Sequence, residues 1–183
     1  MALVAALLLL LVLTMLAVGM FRSFGLQEHI AGNTRERQRA VHAAMAAQSF
    51  AEWWLRSNGG SNAQQGIDCT AVTLSTSPQI CTGALATPAT LPWTNFLSYT
   101  PPAMNVVSTA GTKDAYAQST GYYIQWISGT YVSQNTTVNN YLIDASGYAG
   151  STSTAAVVES ELSVSVTYTA QNNNTINANN GKD

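Results

Sequence analysis

The chain has 183 residues, of which 46% are hydrophobic and 9% are charged, and its formal net charge at pH 7 is −2. Charged residues usually make up about a quarter of a globular chain, so this surface is polar through Ser, Thr, Asn and Gln rather than ionic. The low charge excludes nucleic-acid binding through a basic patch, and the apolar content excludes a disordered chain.

The chain opens with an apolar segment, MALVAALLLLLVLTMLAVGMF, and its first charged residue is Arg22. About 20 apolar residues in a helix span the hydrocarbon core of a bilayer, so residues 1–21 predict a membrane-length helix. A secretory signal peptide has a basic start and a shorter apolar core of about 7–15 residues. This segment has neither, and we expect that a basic leader is removed to leave Met1 as the mature N-terminus.

The helix is predicted to continue through residues 22–57, which are rich in Arg, Glu, Gln, Ala, Leu and Met and contain no proline. Small or apolar residues recur there at three- or four-residue steps, which predicts an amphipathic half with one packed face. Asn58-Gly59-Gly60-Ser61 is typical of a helix end. The residues predicted to pack on the rest of the protein are Val41, Ala44, Ala51 and Leu55.

Residues 58–183 are richer in Ser, Thr, Gly, Pro and Asn, with short apolar runs. TGYYIQWISG (120–129), NNYLIDASG (139–147) and VVESELSVSVTYT (157–169) each predict a strand, and 61–120 reads as loops and short elements. The third alternates regularly, so it predicts a half-buried strand of an antiparallel sheet. Its inward residues are predicted to be Val158, Leu162, Val164, Val166 and Tyr168.

The two cysteines, Cys69 and Cys81, lie close together in a loop-rich region. In an exported protein this spacing favours a disulfide, with two free buried thiols as the alternative. His29 and His42 have no ligand spacing with the cysteines, so we expect no metal site and no cofactor. The sequence also contains no nucleophile-elbow motif and no phosphate-binding loop, so we do not expect the protein to be an enzyme.

Together these elements predict an α+β fold with two parts. A long N-terminal helix occupies 1–57, and a globular β domain with a disulfide loop occupies 58–183. The second half of the helix is expected to pack on a small antiparallel sheet.

Several segments resemble the type IV pilins, and within them the PilX-type minor pilins. They are MALVAALLLLLVLTMLAVG, QEHIAGNTRERQRAVHAAMAAQSFAE, GYYIQWIS and YLIDASGYAGSTSTAAVVESEL. The resemblance does not cover residues 61–118. It implies a subunit with a processed, methylated Met1, held in the bacterial inner membrane with the pilus assembly machinery. That subunit then polymerises with copies of itself or other pilins into a filament at the cell surface.

Two positions depart from the family pattern. Most pilins carry a glutamate at the fifth mature position, where this chain has Ala5, and the helix glutamate of the family is Met45 here. The first departure puts in doubt whether the chain adds to a filament like an ordinary major subunit. A minor tip or priming subunit and a main repeating subunit therefore both remain open.

The resemblance places the apolar helix in the filament core, and burial of its side chains is the expected driving force. The predicted core contacts are Leu3, Val4, Leu7, Leu8, Leu10, Leu11 and Leu13. The charged residues between Arg35 and Arg39 read either as a solvated face or as bridges to neighbouring subunits. The alternative function is a single-pass, membrane-anchored binding protein that does not polymerise.

Overall fold

The computed structural model describes residues 2–57, 66–69, 77–107 and 114–167. One helix, α1 (Ala2–Arg56), precedes four strands, and the predicted α+β fold is confirmed. The strands are β1 (Leu97–Tyr99), β2 (Thr120–Ser133), β3 (Thr136–Tyr148) and β4 (Ala155–Thr167). The predictions for Met1, for 58–65 and for the tail from Tyr168 onward lie outside the described residues.

The chain divides into two compact units inside the helix, Met1–Gln38 and Arg39–Asp183. The sequence prediction placed its domain boundary at the end of the helix, at 57/58. The last turns of α1 pack on the sheet and share its core, and the division at 57/58 stays a prediction. The first unit is helix, and the second contains the end of α1 with all four strands.

The buried face of α1 is made almost entirely of alanine. Five alanines and Leu55 are 0–5% exposed and recur at three- or four-residue steps, as one helix face requires. The alanines are Ala40, Ala43, Ala44, Ala47 and Ala51. Because alanine carries only a methyl group, this face allows the helix backbone to come close to the sheet.

The sheet has the order β1-β2-β3-β4, so each strand pairs with its neighbour in the chain. All three pairings are antiparallel. The three predicted strands are confirmed and run a few residues further than their patterns. β1 was missed because it has three residues in a segment rich in proline, too short for an alternating pattern to register.

The face of the sheet toward α1 forms the main core. Tyr122 and Ile124 of β2 and Tyr141 and Ile143 of β3 are 0–1% exposed and cluster with Leu55. Around this centre, Phe50 of the helix stacks on the Tyr99 ring of β1, with centroids 4.1 Å apart.

The opposite face of the sheet carries a second, smaller cluster around Tyr123, Cys69 and Cys81. Cys81 pairs with the edge of β2 beyond β1, because its N–H donates to Ile124 O and its carbonyl accepts from Trp126 N–H, both at 2.8 Å. The disulfide segment therefore extends the sheet edge and covers part of its outer face.

Candidate assembly surface

The apolar half of α1 is exposed on every side within the single chain. Its large side chains from Leu3 to Ile30 are 46–77% exposed. The helix is long and apolar enough to cross a membrane, with a best-window mean hydropathy of 2.8. A helix that is apolar all round is stable only when lipid or other protein surrounds it. The exposed surface therefore requires an apolar environment that the single chain does not supply.

All seven side chains predicted as filament-core contacts belong to this exposed surface. Their exposures fall between 46% for Leu11 and 77% for Leu3. Between Ala2 and Phe21 the one hydroxyl is satisfied inside the helix, since Thr14 Oγ1 donates to Leu11 O at 2.8 Å. The described residues 2–21 therefore present no unsatisfied polar side chain to a surrounding apolar phase.

The residues predicted to join helix and sheet fall into two groups. Ala44, Ala51, Leu55, Val164 and Val166 are buried, at 0–3% exposure. Val158 and Leu162 pack against the core while remaining half-buried, and Val41 is also half-buried.

Sequence reasoning missed a polar link between the helix and β4. Glu52 Oε1 accepts hydrogen bonds from Gln48 Nε2 at 2.9 Å and from Ser160 Oγ at 3.1 Å. Ser160 lies on the same side of β4 as Val158 and Leu162, which pack against the core. Only the docked helix could identify its partner.

Arg39 works inside the globular unit rather than in a free charged cluster. Its Nη2 donates to Ala115 O at 2.8 Å, and its guanidinium lies 4.7 Å from the centre of the Tyr116 ring. The residue was predicted either to be solvated or to bridge neighbouring subunits. Within the chain, its contacts link the segment before β2 to α1.

The cysteine pair forms a disulfide, Cys69–Cys81, with Cα atoms 5.4 Å apart. Both residues are buried, at 0–1% exposure. Tyr123 packs beside them, and its hydroxyl donates to Gly83 O at 2.9 Å. The aromatic strand is thus split between two clusters, since Tyr122 faces the helix and Tyr123 faces the disulfide.

A carboxyl pair on the outer face also escaped sequence reasoning. Asp144 of β3, only 1% exposed, lies directly across from Glu159 of β4. Burial, followed by the charge of Glu159 and a side-chain hydrogen bond with it, raises the pKa of Asp144 to about 6. On the other side, Asp144 neighbours Tyr123, whose pKa is raised by burial and by the charges of Asp68 and Asp144.

Two further features bear on ligands. A cavity of about 290 Å³ is lined by Trp93 and Tyr123 among others, but the polar atoms of both rings already bind loop carbonyls, those of Pro88 and Gly83. Among the described residues, no group of three or more His, Cys, Asp or Glu side chains is arranged to hold a metal ion.

The described residues thus combine a globular unit with a buried core and an apolar helix whose large side chains are exposed. Residues 1–49 match the family model described as PilX N-terminal. The resemblance of this segment to the PilX-type pilins is thereby confirmed, and the segment is the apolar helix with its first charged turns. No curated protein and no solved structure matches the chain.

Proposed function

We propose that the protein is a structural subunit of a type IV pilus or a similar surface filament, and that it polymerises through the apolar half of α1. The observation that supports this most is the uncovered apolar helix within a segment that matches the PilX N-terminal family. Before assembly the helix spans the bacterial inner membrane, and in the filament it packs in a core formed by similar helices. Its partners are copies of itself, other pilins and, before polymerisation, the membrane assembly machinery.

The energetics explain both stages. In lipid, the acyl chains are as apolar as leucine, so the helix gains little by meeting another helix. Outside lipid, every exposed apolar side chain between Leu3 and Ile30 must be covered by neighbours. Burial at about 25 cal/mol per Å² over about 1,500 Å² gives tens of kcal/mol before entropy costs. A polymer held in this way resists dissociation.

The residue at position 5, Ala5, bears on whether such a subunit is a minor or a repeating one. A glutamate at this position is expected in most pilins, whereas the described part of α1 before Arg22 carries no charged residue. This helix must associate through apolar packing, without a charge pair at its start. We propose a minor subunit at the tip or in the priming complex as the primary role, because that role does not require the repeated contact.

The test is quantitative mass spectrometry of filaments sheared from cells that express the chain. We expect peptides of this chain, beginning at a methylated Met1, at a few per cent or less of the abundant pilin. Dominance of the preparation by this chain would instead assign it the repeating role. A membrane-anchored binding protein would stay in the membrane fraction and be missing from the filaments, which would refute the proposal.

A matched pair of variants tests the helix itself. Leu10→Arg places a charge in the middle of the apolar segment, where burial of an unpaired charge is costly. Leu10→Ile keeps the apolar surface. We expect the first variant to be lost from sheared filaments and the second to be retained, with equal amounts of both chains in the cell. Equal recovery of both in filaments would contradict assembly through this helix.

A further inference from the structure

The last strand of the sheet, β4, has one side that no other strand covers within the described part of the chain. β4 ends the sheet order, and its backbone bonds among the described residues go to β3 alone. The side of β4 away from β3 therefore presents unpaired N–H and C=O groups, which can pair with a further strand. We call this side the β4 edge.

The hydrogen-bond pattern of the sheet identifies the residues whose backbone groups point to the β4 edge. Ile124 O of β2 accepts from Cys81 N–H on the far side of β2, so Ile124 and its partner Ile143 are a non-hydrogen-bonded pair. Ile143 must then bond on its other side, to Ser160 of β4. Because the bonds alternate along a strand, the odd-numbered residues of β4 direct their N–H and C=O groups to the β4 edge. They are Ala155, Val157, Glu159, Glu161, Ser163, Ser165 and Thr167.

The β4 edge lacks most of the devices that normally prevent a sheet edge from pairing. Such edges are usually short, or carry lysine, proline or a bulge. β4 has 13 residues and contains no proline, glycine or lysine, whereas strands usually have about 5–6 residues. Its register with β3 runs without a shift, unlike the register between β2 and β3. The strand is therefore long and regular enough to accept another strand.

The two charged residues of β4 define the charge of the outer face beside this edge. Glu159 and Glu161 are both exposed and lie on the same side of the strand. Their partners across β3 are Asp144 and Leu142, so neither glutamate faces a basic residue in the sheet. A strand added at the β4 edge would place its own side chains directly beside them, where opposite charges are stabilising and like charges are destabilising.

The inner face beside the edge has a different character. Val158 and Leu162 pack against the core under α1 but remain half-buried. Apolar side chains of an added strand would lie next to them on this face and would cover the surface that the helix leaves exposed. The edge thus has an apolar side and an acidic side.

We propose that the β4 edge binds an extended segment of a different protein, in which apolar residues on the inner face alternate with lysine or arginine on the outer face. Backbone hydrogen bonds to the edge supply affinity, and the alternating side chains select the segment. The contact is separate from the apolar half of α1, so it does not depend on the proposed function. One bound segment per copy is compatible with a minor subunit.

The distribution of basic residues argues against a second copy of this chain as the occupant. Arg35, Arg37 and Arg39 do alternate, but they lie within helix α1. Outside α1 the sequence has only Lys113 and Lys182, and neither has another basic residue two positions away. Two β4 edges paired with each other would bring glutamates together, which is unfavourable. The glutamates therefore disfavour like copies and favour a basic partner.

Peptide binding to the full chain in a non-ionic detergent tests the partner's chemistry. The probe is a fluorescent peptide of alternating valine and lysine, long enough to span β4. The matched control peptide has glutamate in place of every lysine. We expect saturable binding of the lysine peptide, measured by fluorescence anisotropy, and binding of the glutamate peptide that is at least about tenfold weaker.

Amide hydrogen exchange, followed by NMR on the same sample, tests whether the peptide pairs with the β4 edge. In the free chain, the amide of Glu161 should exchange faster than that of Leu162, because only the second is bonded to β3. The lysine peptide should slow exchange at the odd-numbered residues of β4. A peptide that binds elsewhere would leave these amides unchanged and would overturn the proposal.

Variants of β4 separate the backbone contribution from the charge. Ser165→Pro removes an N–H that points to the β4 edge and keeps the bonds to β3, a position where sheets accept proline. Ser165→Ala is its matched control. Glu161→Lys reverses one charge on the outer face. We expect the proline and lysine variants each to weaken binding of the lysine peptide about tenfold, and the alanine variant to bind like wild type. Equal binding by wild type and Glu161→Lys would overturn the charge selection even if the proline variant did not fold.

The remaining outcomes also have defined meanings. No saturable binding of either peptide up to about 1 mM overturns the docking of a strand. Slow exchange at the odd-numbered amides of the free chain at every protein concentration would show that the chain covers its own edge. Slow exchange only at high protein concentration would identify a second copy as the occupant, and both results overturn the proposal. None of them affects the recovery of the chain in filaments, which tests the proposed function separately.

Discussion

Gly147 of β3 lies directly against Ala44 of α1. A Cβ atom built on Gly147 would come within 2.4 Å of the Ala44 backbone nitrogen and within 2.5 Å of the Ala40 carbonyl oxygen. Both obstacles are helix backbone, which cannot turn aside as a side chain can. The absence of a side chain at 147 and the alanine face of α1 therefore set the distance between helix and sheet together.

We predict that Gly147→Ala destabilises the protein by about 1–3 kcal/mol, the usual cost of overpacking a core. The measurement is chemical unfolding of the full chain in mild detergent, followed by circular dichroism. Gly83→Ala is the matched control, because a Cβ at Gly83 meets nothing within 4 Å. If the two variants were equally stable, the result would contradict the close contact between Gly147 of β3 and the helix backbone.

The Asp144–Glu159 pair predicts that stability falls as pH rises. The pKa of Asp144 is about 6 in the folded protein, against an ordinary value of 3.8. The folded state thus binds the Asp144 proton more tightly than the unfolded state does. The stabilisation that results is fully present below about pH 4. It is lost progressively between about pH 4 and 6, and the total loss is up to about 3 kcal/mol.

The variant Asp144→Asn isolates this effect from the other acidic residues. The free energy of unfolding of the wild type, minus that of the variant, should decrease as the pH rises from 4 to 7. Glu159→Gln removes the neighbouring charge and should shift the wild-type transition to lower pH, because the Glu159 charge is one cause of the raised pKa. A difference that stays constant with pH would show that Asp144 titrates normally.

We predict that removing the disulfide lowers the free energy of unfolding measurably. Cys69 and Cys81 are 12 residues apart, and closing a loop of about 15 residues is worth about 3 kcal/mol on the chain-entropy estimate. The double variant Cys69→Ser with Cys81→Ser should therefore unfold at lower denaturant, by about 2–3 kcal/mol. Alkylation before and after reduction, read by mass spectrometry, checks that the bond is present. Thiols that alkylate without a reductant would show that it is not.

Patterns within short segments were enough to predict the regular elements. The absence of proline and the run of helix-forming residues predicted α1, and the alternation in 157–169 predicted β4 with Val164 and Val166 facing inward. These features are local, since each depends on the repeat of a helix turn or a strand pleat. β1 could not be predicted in the same way, because three residues are too few to show a repeat.

The sequence by itself determined that the chain would have a membrane-length apolar helix, a change of composition after it, and a sheet with one buried face. Those properties depend on residue type and spacing along the chain. Only the tertiary structure decided that Asp144 faces Glu159, that Gly147 meets Ala44, that Arg39 stacks on Tyr116, and that the division into units falls after Gln38. Each of these depends on strand register or on helix docking. Both bring together residues that are distant in sequence, and no local repeat carries that information.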